Sequence, residues 1–391
     1  MLRYDTKLPG SRRSPQRWLC CLLATAMGTM ILLTQPSLAE DRVIDTEAGR
    51  LKVETVADGL KHPWALAFLP DGRLLVTERP GRLRLLADGK LSKPLTGVPE
   101  VFAQGQGGLL DVALDPDFDQ NRLVYLTYAE AGEGGASTAV ARGKFAETGL
   151  EHVEVIFRQQ PQVDGGLHFG SRLAFSPDGK LFITLGERFK FTPAQDLSNH
   201  LGKIVRINPD GSVPKDNPFV GRDDARPEIW SYGHRNAQGA AIHPKTGKLW
   251  ENEFGPLGGD ELNIPQAGAN YGWPVVSWGK HYDGREIANP PTHPEFADAI
   301  HHWTPVISPS GMTFYTGEAI PGWKDNLLIG GLSSEAIIRL TLDGEKVVDE
   351  ERIPMNARIR DVAVAPDGSL YAVTDDGDDK ILRLSLENSP K

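Results

Sequence analysis

The residues of this chain with the most chemical capacity fall within about forty positions. They are Gly233-His234-Arg235-Asn236-Ala237-Gln238-Gly239, Phe254-Gly255-Pro256-Leu257-Gly258-Gly259-Asp260-Glu261-Leu262-Asn263 and Asn270-Tyr271-Gly272-Trp273-Pro274. No hydrophobic period explains them, and glycines, amides, acids and aromatics at this density describe a polar site built from loops. Arg235 offers a fixed cation, and Asn236 and Gln238 offer two bifunctional amides. Together they can bind a planar ligand bearing carboxylates or carbonyls, or they can hydrogen-bond neighbouring structural units together.

Other candidates lie outside that stretch. His168, within Gly165-Gly166-Leu167-His168-Phe169-Gly170, has the near-neutral pKa of a general base. The glycines around it allow close approach of a ligand to the backbone, although a lone histidine can equally be structural. Arg358 and Arg360, two residues apart before an apolar stretch, share one face of a strand and suit either an anion or surface ion pairs. Gly255, Pro256, Asp260, Glu261 and Tyr271 form the oxygen-rich, irregular setting that Ca²⁺ favours, without the spacing of an EF-hand. Gln104-Gly105-Gln106-Gly107-Gly108 lacks the lysine and the strand-to-helix context of a phosphate cradle, which argues against nucleotide binding. Ser231, Ser308 and Ser310 lack a nucleophile-elbow setting, so serine hydrolysis is disfavoured.

What must position these groups is a repeated phrase: an apolar strand, a Pro-Asp-Gly type of turn, a second apolar strand, then acidic or polar residues. Copies start at Ala65, Asp111, Leu173, Ala240, Met312 and Val362. Proline and glycine pre-set the turn dihedrals, and the flanking β-branched and aromatic residues fit a pleated surface. The aspartates of these turns, such as Asp71, Asp178 and Asp367, read as turn caps without chemistry. One hairpin cannot bury both its faces, so six copies predict an all-β fold, a six-bladed β-propeller of four-stranded antiparallel blades.

The N-terminal segment reads as an export signal. Arg3, Lys7, Arg12, Arg13 and Arg17 precede an apolar run from Trp18 to Leu33, and Ser37-Leu38-Ala39 supplies a cleavage site. A general secretory signal fits better than twin-arginine export. The division expected is signal peptide over 1–39 and a single propeller domain over 40–391, periplasmic or secreted. Both cysteines, Cys20 and Cys21, lie in the signal, so the mature chain would have no disulfide and no thiolate chemistry. Cleavage would remove five positive charges and one negative, taking the formal net charge from −10 to −14. So acidic a chain, with no basic run and no second long apolar segment, argues against nucleic-acid binding and against a membrane span.

Seven motifs in register give the chain a resemblance. They are Gly105-Gln-Gly-Gly-Leu109, His168-Phe-Gly-Ser-Arg-Leu173, Ala194-Gln-Asp-Leu-Ser-Asn-His-Leu-Gly-Lys203, Gly233-His-Arg-Asn-Ala-Gln-Gly239, Gly255-Pro256 with Gly258-Gly-Asp-Glu-Leu-Asn263, Asn270-Tyr-Gly-Trp-Pro274 and Arg358-Ile-Arg-Asp361. Over roughly His62 to Asp376 the chain resembles the soluble quinoprotein sugar dehydrogenases of the glucose/sorbosone dehydrogenase family.

That resemblance implies a propeller holding pyrroloquinoline quinone (PQQ) and Ca²⁺, oxidising the anomeric carbon of aldoses to lactones. It implies His168 as the base and Arg235 as the cation beside the quinone oxygen, with Gln106, Asn236, Ser333, Arg358 and Arg360 around the cofactor. The carbonyls of Gly255 and Pro256 match ligands of the cofactor's calcium, and Glu261 and Tyr271 match a second calcium position. A sugar and an external electron acceptor are the implied partners, on a monomer or homodimer, with substrate contacts in Phe189 to Pro193 and Trp278 to His302. The chain departs from the pattern at Leu332-Ser333-Ser334, where some members place a lysine on the cofactor. It departs again at Phe254, where a polar residue is common. A non-catalytic binding propeller and a calcium-dependent lactonase are the alternatives; the latter would need a water-activating acid cluster.

Overall fold

Each repeated phrase forms the two innermost strands of one antiparallel sheet. The pairs are Pro63–Phe68 with Leu74–Glu78, Leu109–Leu114 with Leu123–Gly132, Gly170–Phe175 with Leu181–Leu185, Ala237–Ile242 with Leu249–Glu253, Pro309–Phe314 with Leu327–Gly331, and Ile359–Val364 with Leu370–Thr374. The innermost strands of successive sheets touch in turn, and the sixth returns to the first. This computed structural model, which describes residues 42–387, is therefore a six-bladed β-propeller. The export signal and cleavage site read in residues 1–39 lie outside the described residues. Helix is confined to Phe118–Asn121 and two short 3₁₀ turns among the described residues, and none is long and apolar enough to cross a membrane.

The turns behave as their composition dictates. In three blades the glycine of Pro-Asp-Gly sits at φ near +80° (Gly72 at 85°, Gly179 at 74°, Gly368 at 79°), a region that favours glycine. Their amides donate to the carbonyls of Leu69, Ser176 and Ala365, closing the turn. Asp71 and Asp367 accept the amides of Arg73 and Ser369, as turn caps should. These turns mark one end of the ring. The loops entering each inner strand and leaving each second strand therefore gather at the other end.

The core lies between blades. Leu75 and Leu83 of the first blade pack with Leu110 and Leu126 of the second, and Tyr125 and Val140 of the second with Leu181 and Ile183 of the third. Each such buried side chain contributes ~1.5–3 kcal/mol relative to exposure. A polar staple recurs beside it. Thr77, Thr127 and Thr184, on the second strand in three repeats, donate to Leu110, Ser171 and Ala237 on the next blade's inner strand. Each also accepts an amide from its own blade's inner strand, from Ala65, Asp111 and Arg172. On the axis, Arg172 donates to Asp111 at 2.9 Å, lies 3.3 Å from Asp361, and stacks over Trp64 at 4.2 Å.

Five blades have four strands, as expected, but the sixth has five. Its fourth strand, Gly49–Leu60, comes from the N-terminal side and pairs with Asp379–Leu386, and Arg42–Thr46 adds a fifth. The ring is thus closed by hydrogen bonds between the two ends of the propeller sequence. The repeated phrase could not reveal this strand, because its turn-forming residues occur only between inner strands.

Candidate active site

The polar loops converge at the end of the channel opposite the Pro-Asp-Gly turns. A cavity of about 330 Å³ opens there, walled by Trp64, Gln106, Gln238, Phe254 and Leu332 and by the guanidinium groups of Arg79, Arg358 and Arg360. This lies within the ~300–1,000 Å³ usual for small-molecule sites. Its dominant character is cationic. Arg360 is buried, pairs with Asp375 at 2.6 Å and donates to Gln238 at 2.8 Å. Burial alone would raise the Asp375 carboxyl, but Arg360, His62 and Arg79 hold it below the ordinary carboxylate range. The Arg358 guanidinium donates only to the carbonyls of Asp375 and Leu332.

His168 stands beside this cavity on the loop entering the third inner strand. Its amide donates to Gln106 Oε1 at 2.8 Å, which ties it to the cavity wall. Its Nδ1 lies 2.6 Å from Glu187 Oε1, and both side chains are buried. An ionised carboxylate can only accept, so Nδ1 carries the ring proton and Nε2, which bonds to nothing in the protein, keeps its lone pair. Burial lowers the histidine's pKa, Glu187 opposes that, and Arg235 and Arg188 add to it; the net shift is downward. The imidazole is thus neutral at pH 7 and poised to accept a proton.

The backbone around this pair is held in uncommon geometry. His168, Arg188, Phe189 and Phe191 all have φ between 54° and 64°. Left-handed backbone in four non-glycine residues persists only where neighbours enforce it. Glu187 does so by accepting the amides of Lys190 and Phe191, while Arg188 donates to the carbonyls of Gly165 and Leu167 and lies over Phe169. Close approach matters as well: a Cβ on Gly186 would sit 2.1 Å from the His168 carbonyl oxygen.

Arg235 lies next to Phe254, which lines both this cavity and a smaller one. Its guanidinium donates to Phe254 O at 3.0 Å and to the Tyr282 hydroxyl at 3.1 Å, and its Nε is buried without a partner. Glu253 accepts the amides of Arg235 and Asn236 and fixes this turn. Aromatic rings line the way in: Phe189 lies 5.2 Å from His168 and 5.1 Å from Phe191, which lies 5.6 Å from Trp273. Tyr282, 63% exposed, completes this ledge over Arg235. Phe191 also lies 6.3 Å from His281, so the 189–193 and 278–302 loops adjoin.

Behind Arg235 a second cavity of only about 10 Å³ is lined by Gly255, Pro256, Glu253, Glu261 and Tyr271. That is room for about one water-sized sphere. The residues that the resemblance matches to two calcium positions thus line one small space. The buried Glu251 adjoins Glu253 and Glu261, with Asn263 donating to Glu251 at 2.9 Å and His234 reaching Glu253 at 3.2 Å. Burial and mutual repulsion push Glu251 and Glu261 up, and the two neighbouring acids push His234 up against its burial. Glu251 Oε2 and Asn263 Oδ1 are buried with no partner. The Tyr271 hydroxyl is committed to Ile264 O and the Gln266 amide, so only its main chain is free to meet a metal. These acids form a cluster, yet none of them lines the larger cavity, which disfavours the lactonase reading.

The remaining sequence candidates divide between wall and scaffold. Gln106, Arg358 and Arg360 line the larger cavity. Asn236 Oδ1 accepts the Gly170 amide at 3.0 Å, and Gln238 joins Arg360 to Arg172, so both act as links between blades. Ser333 is exposed with its hydroxyl on Val306 O, and Leu332 supplies the cavity wall at that point. Glu187, Glu253, Asp375 and Arg79 were not singled out from sequence. Glu187, Glu253 and Asp375 are acids that end a repeat's second strand or follow it within two residues, as Glu78 does in the first repeat, and that recurrence was the available signal.

Comparison with known proteins gives this arrangement a class, the sugar dehydrogenases among the oxidoreductases. The chain belongs to the glucose/sorbosone dehydrogenase family, whose model matches residues 60–383. It is 46% identical to the aldose sugar dehydrogenase YliI of Escherichia coli (strain K12), covering 86% of this chain and 94% of that protein. A crystal structure of a glucose dehydrogenase superposes with a TM-score of 0.82 at 50% identity, covering 86% of this chain and 99% of the other. The PQQ-bound form of aldose sugar dehydrogenase from Streptomyces coelicolor superposes with a TM-score of 0.70 at 32% identity, covering 86% and 98%.

Proposed function

We propose that this protein is a PQQ- and Ca²⁺-dependent aldose dehydrogenase that oxidises the anomeric carbon of sugars to lactones and passes electrons to an external acceptor. The observation that carries the proposal is the His168–Glu187 pair beside a cavity walled by three guanidinium groups. A planar, carboxylated quinone fits that cavity's chemistry: cations for its carboxylates, and Trp64 and Phe254 for its faces. When bound, the quinone supplies the acceptor for the hydride leaving the anomeric carbon, and Ca²⁺ supplies Lewis-acid polarisation of it.

The protein's own contribution is proton chemistry, charge and positioning. His168 Nε2 takes the proton of the anomeric hydroxyl, and Glu187 steadies the resulting imidazolium. Arg235 stands where negative charge develops, in a wall closed by Phe254 and Tyr282. Gln106, Arg358, Arg360, Asn236 and Ser333 are the residues assigned to the cofactor, the first three from the cavity wall itself. Gly255, Pro256 and Glu261, with the main chain of Tyr271, are assigned to calcium around the ion-sized cavity. The aromatic ledge of Phe189, Phe191 and Tyr282 stacks against the sugar and excludes water.

The reading also assigns residues 1–39 to an export signal and 40–391 to a mature periplasmic or secreted propeller, which N-terminal sequencing of the exported protein tests. The activity is tested by adding PQQ and Ca²⁺, separately and together, to purified apoprotein with glucose and an artificial electron acceptor. Turnover that requires both additions supports the proposal. Turnover independent of PQQ, or PQQ that does not bind, sinks it.

A further inference from the structure

Arg79 follows the acid that ends the first blade's second strand, as Arg188 follows Glu187 in the third. Arg188 spends both terminal nitrogens on carbonyls and stacks on Phe169. Arg79 is used far less. One terminal nitrogen donates to Gly105 O at 2.7 Å, and its Nε is buried with no partner. Among the described residues no carboxylate lies within ion-pair distance of it. Its neighbours Arg82 and Arg84 take the adjacent Glu78 instead, at 2.7 and 3.4 Å.

The cavity that Arg79 faces already holds Arg358 and Arg360. Asp375 is its one wall carboxylate, and Arg360 and His62 both share it. Three guanidiniums around one shared acid repel one another. Beyond the effect of its burial, Arg360 is lowered by the charges of Arg79 and Arg358. A protein retains such an arrangement at a cost in stability, and an anion with several negative groups relieves it. Arg358 and Arg360 come from the sixth blade and Arg79 from the first, so the three can grip one planar ligand from two adjacent blades.

We infer that Arg79 is a further carboxylate-binding residue of the cofactor cavity and supplies the cation missing at Leu332-Ser333-Ser334. This rests on the proposed PQQ reading and extends it to a residue of the first blade. A guanidinium fork with one of its five donors engaged can meet a carboxylate through two parallel hydrogen bonds, which a lysine cannot.

The test is equilibrium titration of the apoprotein with PQQ in the presence of Ca²⁺, followed by cofactor absorbance, for the wild type, Arg79→Met and Arg79→Lys. Circular dichroism and melting of each apo-variant establish that it is folded, and the lysine variant preserves charge if the methionine variant does not fold. The expected result is a Kd weakened about ten- to a hundredfold in Arg79→Met and less in Arg79→Lys. The trimethyl ester of PQQ, which has no carboxylate charge, should bind wild type and variants alike. Wild-type affinity in a folded Arg79→Met, with wild type itself binding PQQ, overturns this inference alone. A wild type that binds no PQQ overturns the underlying reading and this inference together.

Discussion

Replacing Glu187 by glutamine exchanges one oxygen for an NH₂ group and should remove the base while leaving the fold intact. In the native protein one carboxylate oxygen accepts from His168 Nδ1 at 2.6 Å, and the other accepts the amides of Lys190 and Phe191. Glutamine has a single acceptor oxygen. If it stays on the two amides, which would otherwise be stranded at ~1–3 kcal/mol each, the NH₂ group faces Nδ1. Nδ1 must then become the acceptor, the ring proton moves to Nε2, and the nitrogen that meets the sugar loses its lone pair. The same tautomer switch operates in serine proteases when the triad aspartate becomes asparagine, where the loss is ~10⁴ in kcat. For a general base here we expect a loss of ~10²–10⁴, or ~2.7–5.4 kcal/mol of barrier at ~1.36 per tenfold.

The assay is kcat and kcat/KM against pH for PQQ-loaded protein, with PQQ affinity and melting temperature measured alongside. In the wild type the acidic limb should lie below the ordinary histidine value of ~6.5, because burial lowers the His168 pKa. In Glu187→Gln any residual limb should move lower still, since the carboxylate that raised it is gone. PQQ affinity should be unchanged and stability altered by less than ~1 kcal/mol. Turnover within about threefold of wild type, with an unshifted limb, would refute the assignment of base and tautomer.

Two other perturbations test the scaffold and the ion-sized cavity. Arg172→Met leaves Asp111 and Asp361 buried and unpaired, so denaturant unfolding should show a loss of ~3–5 kcal/mol. Burial already raises Asp111 to about 6, a shift that costs stability above its unfolded value, so this loss should be larger at pH 8 than at pH 5. Calcium should raise the melting temperature of the apoprotein, by ~2.7 kcal/mol of stability at a hundred times its Kd, and Glu261→Gln should abolish the response. Because the raised Glu251 and Glu261 hold protons that the unfolded chain releases above about 4.5, and His234 loses its stabilising proton as pH rises through about 9, the contribution of this cluster to apoprotein stability should fall across that window. Calcium, competing with those protons, should therefore stabilise more at pH 8 than at pH 6; an equal or opposite effect would contradict the site.

How much was legible depended on whether a residue's job was local. The inner strands were readable because Pro-Asp-Gly sets its own turn and the flanking strands alternate against it, as at Leu69 to Arg73 and Ser176 to Lys180. His168, Arg235, Arg358 and Arg360 were readable because glycines and same-face spacing mark loops and walls. The closing strand Gly49–Leu60 was not, since its partner lies more than 300 residues away and no turn connects them. Glu187 escaped for a related reason: its partner is 19 residues back, across a corner whose geometry only the ring defines. Arg79 is one of three arginines close together in sequence, and only the structure pairs Arg82 and Arg84 with Glu78 and leaves Arg79 facing the channel. Asn236 was expected at the cofactor, and the structure gives its oxygen a scaffold role on Gly170.

In the proposed reaction His168 draws a proton from a sugar while the bound quinone is reduced. Anaerobic stopped-flow mixing of PQQ- and Ca²⁺-loaded protein with an aldose, without added acceptor, tests it most directly through the cofactor's absorbance. The account predicts a single turnover of quinone reduction in the wild type and a rate at least ~10²-fold lower in His168→Ala with PQQ still bound. Equal rates in the two proteins, or no reduction of bound PQQ by any of a panel of aldoses, would contradict it.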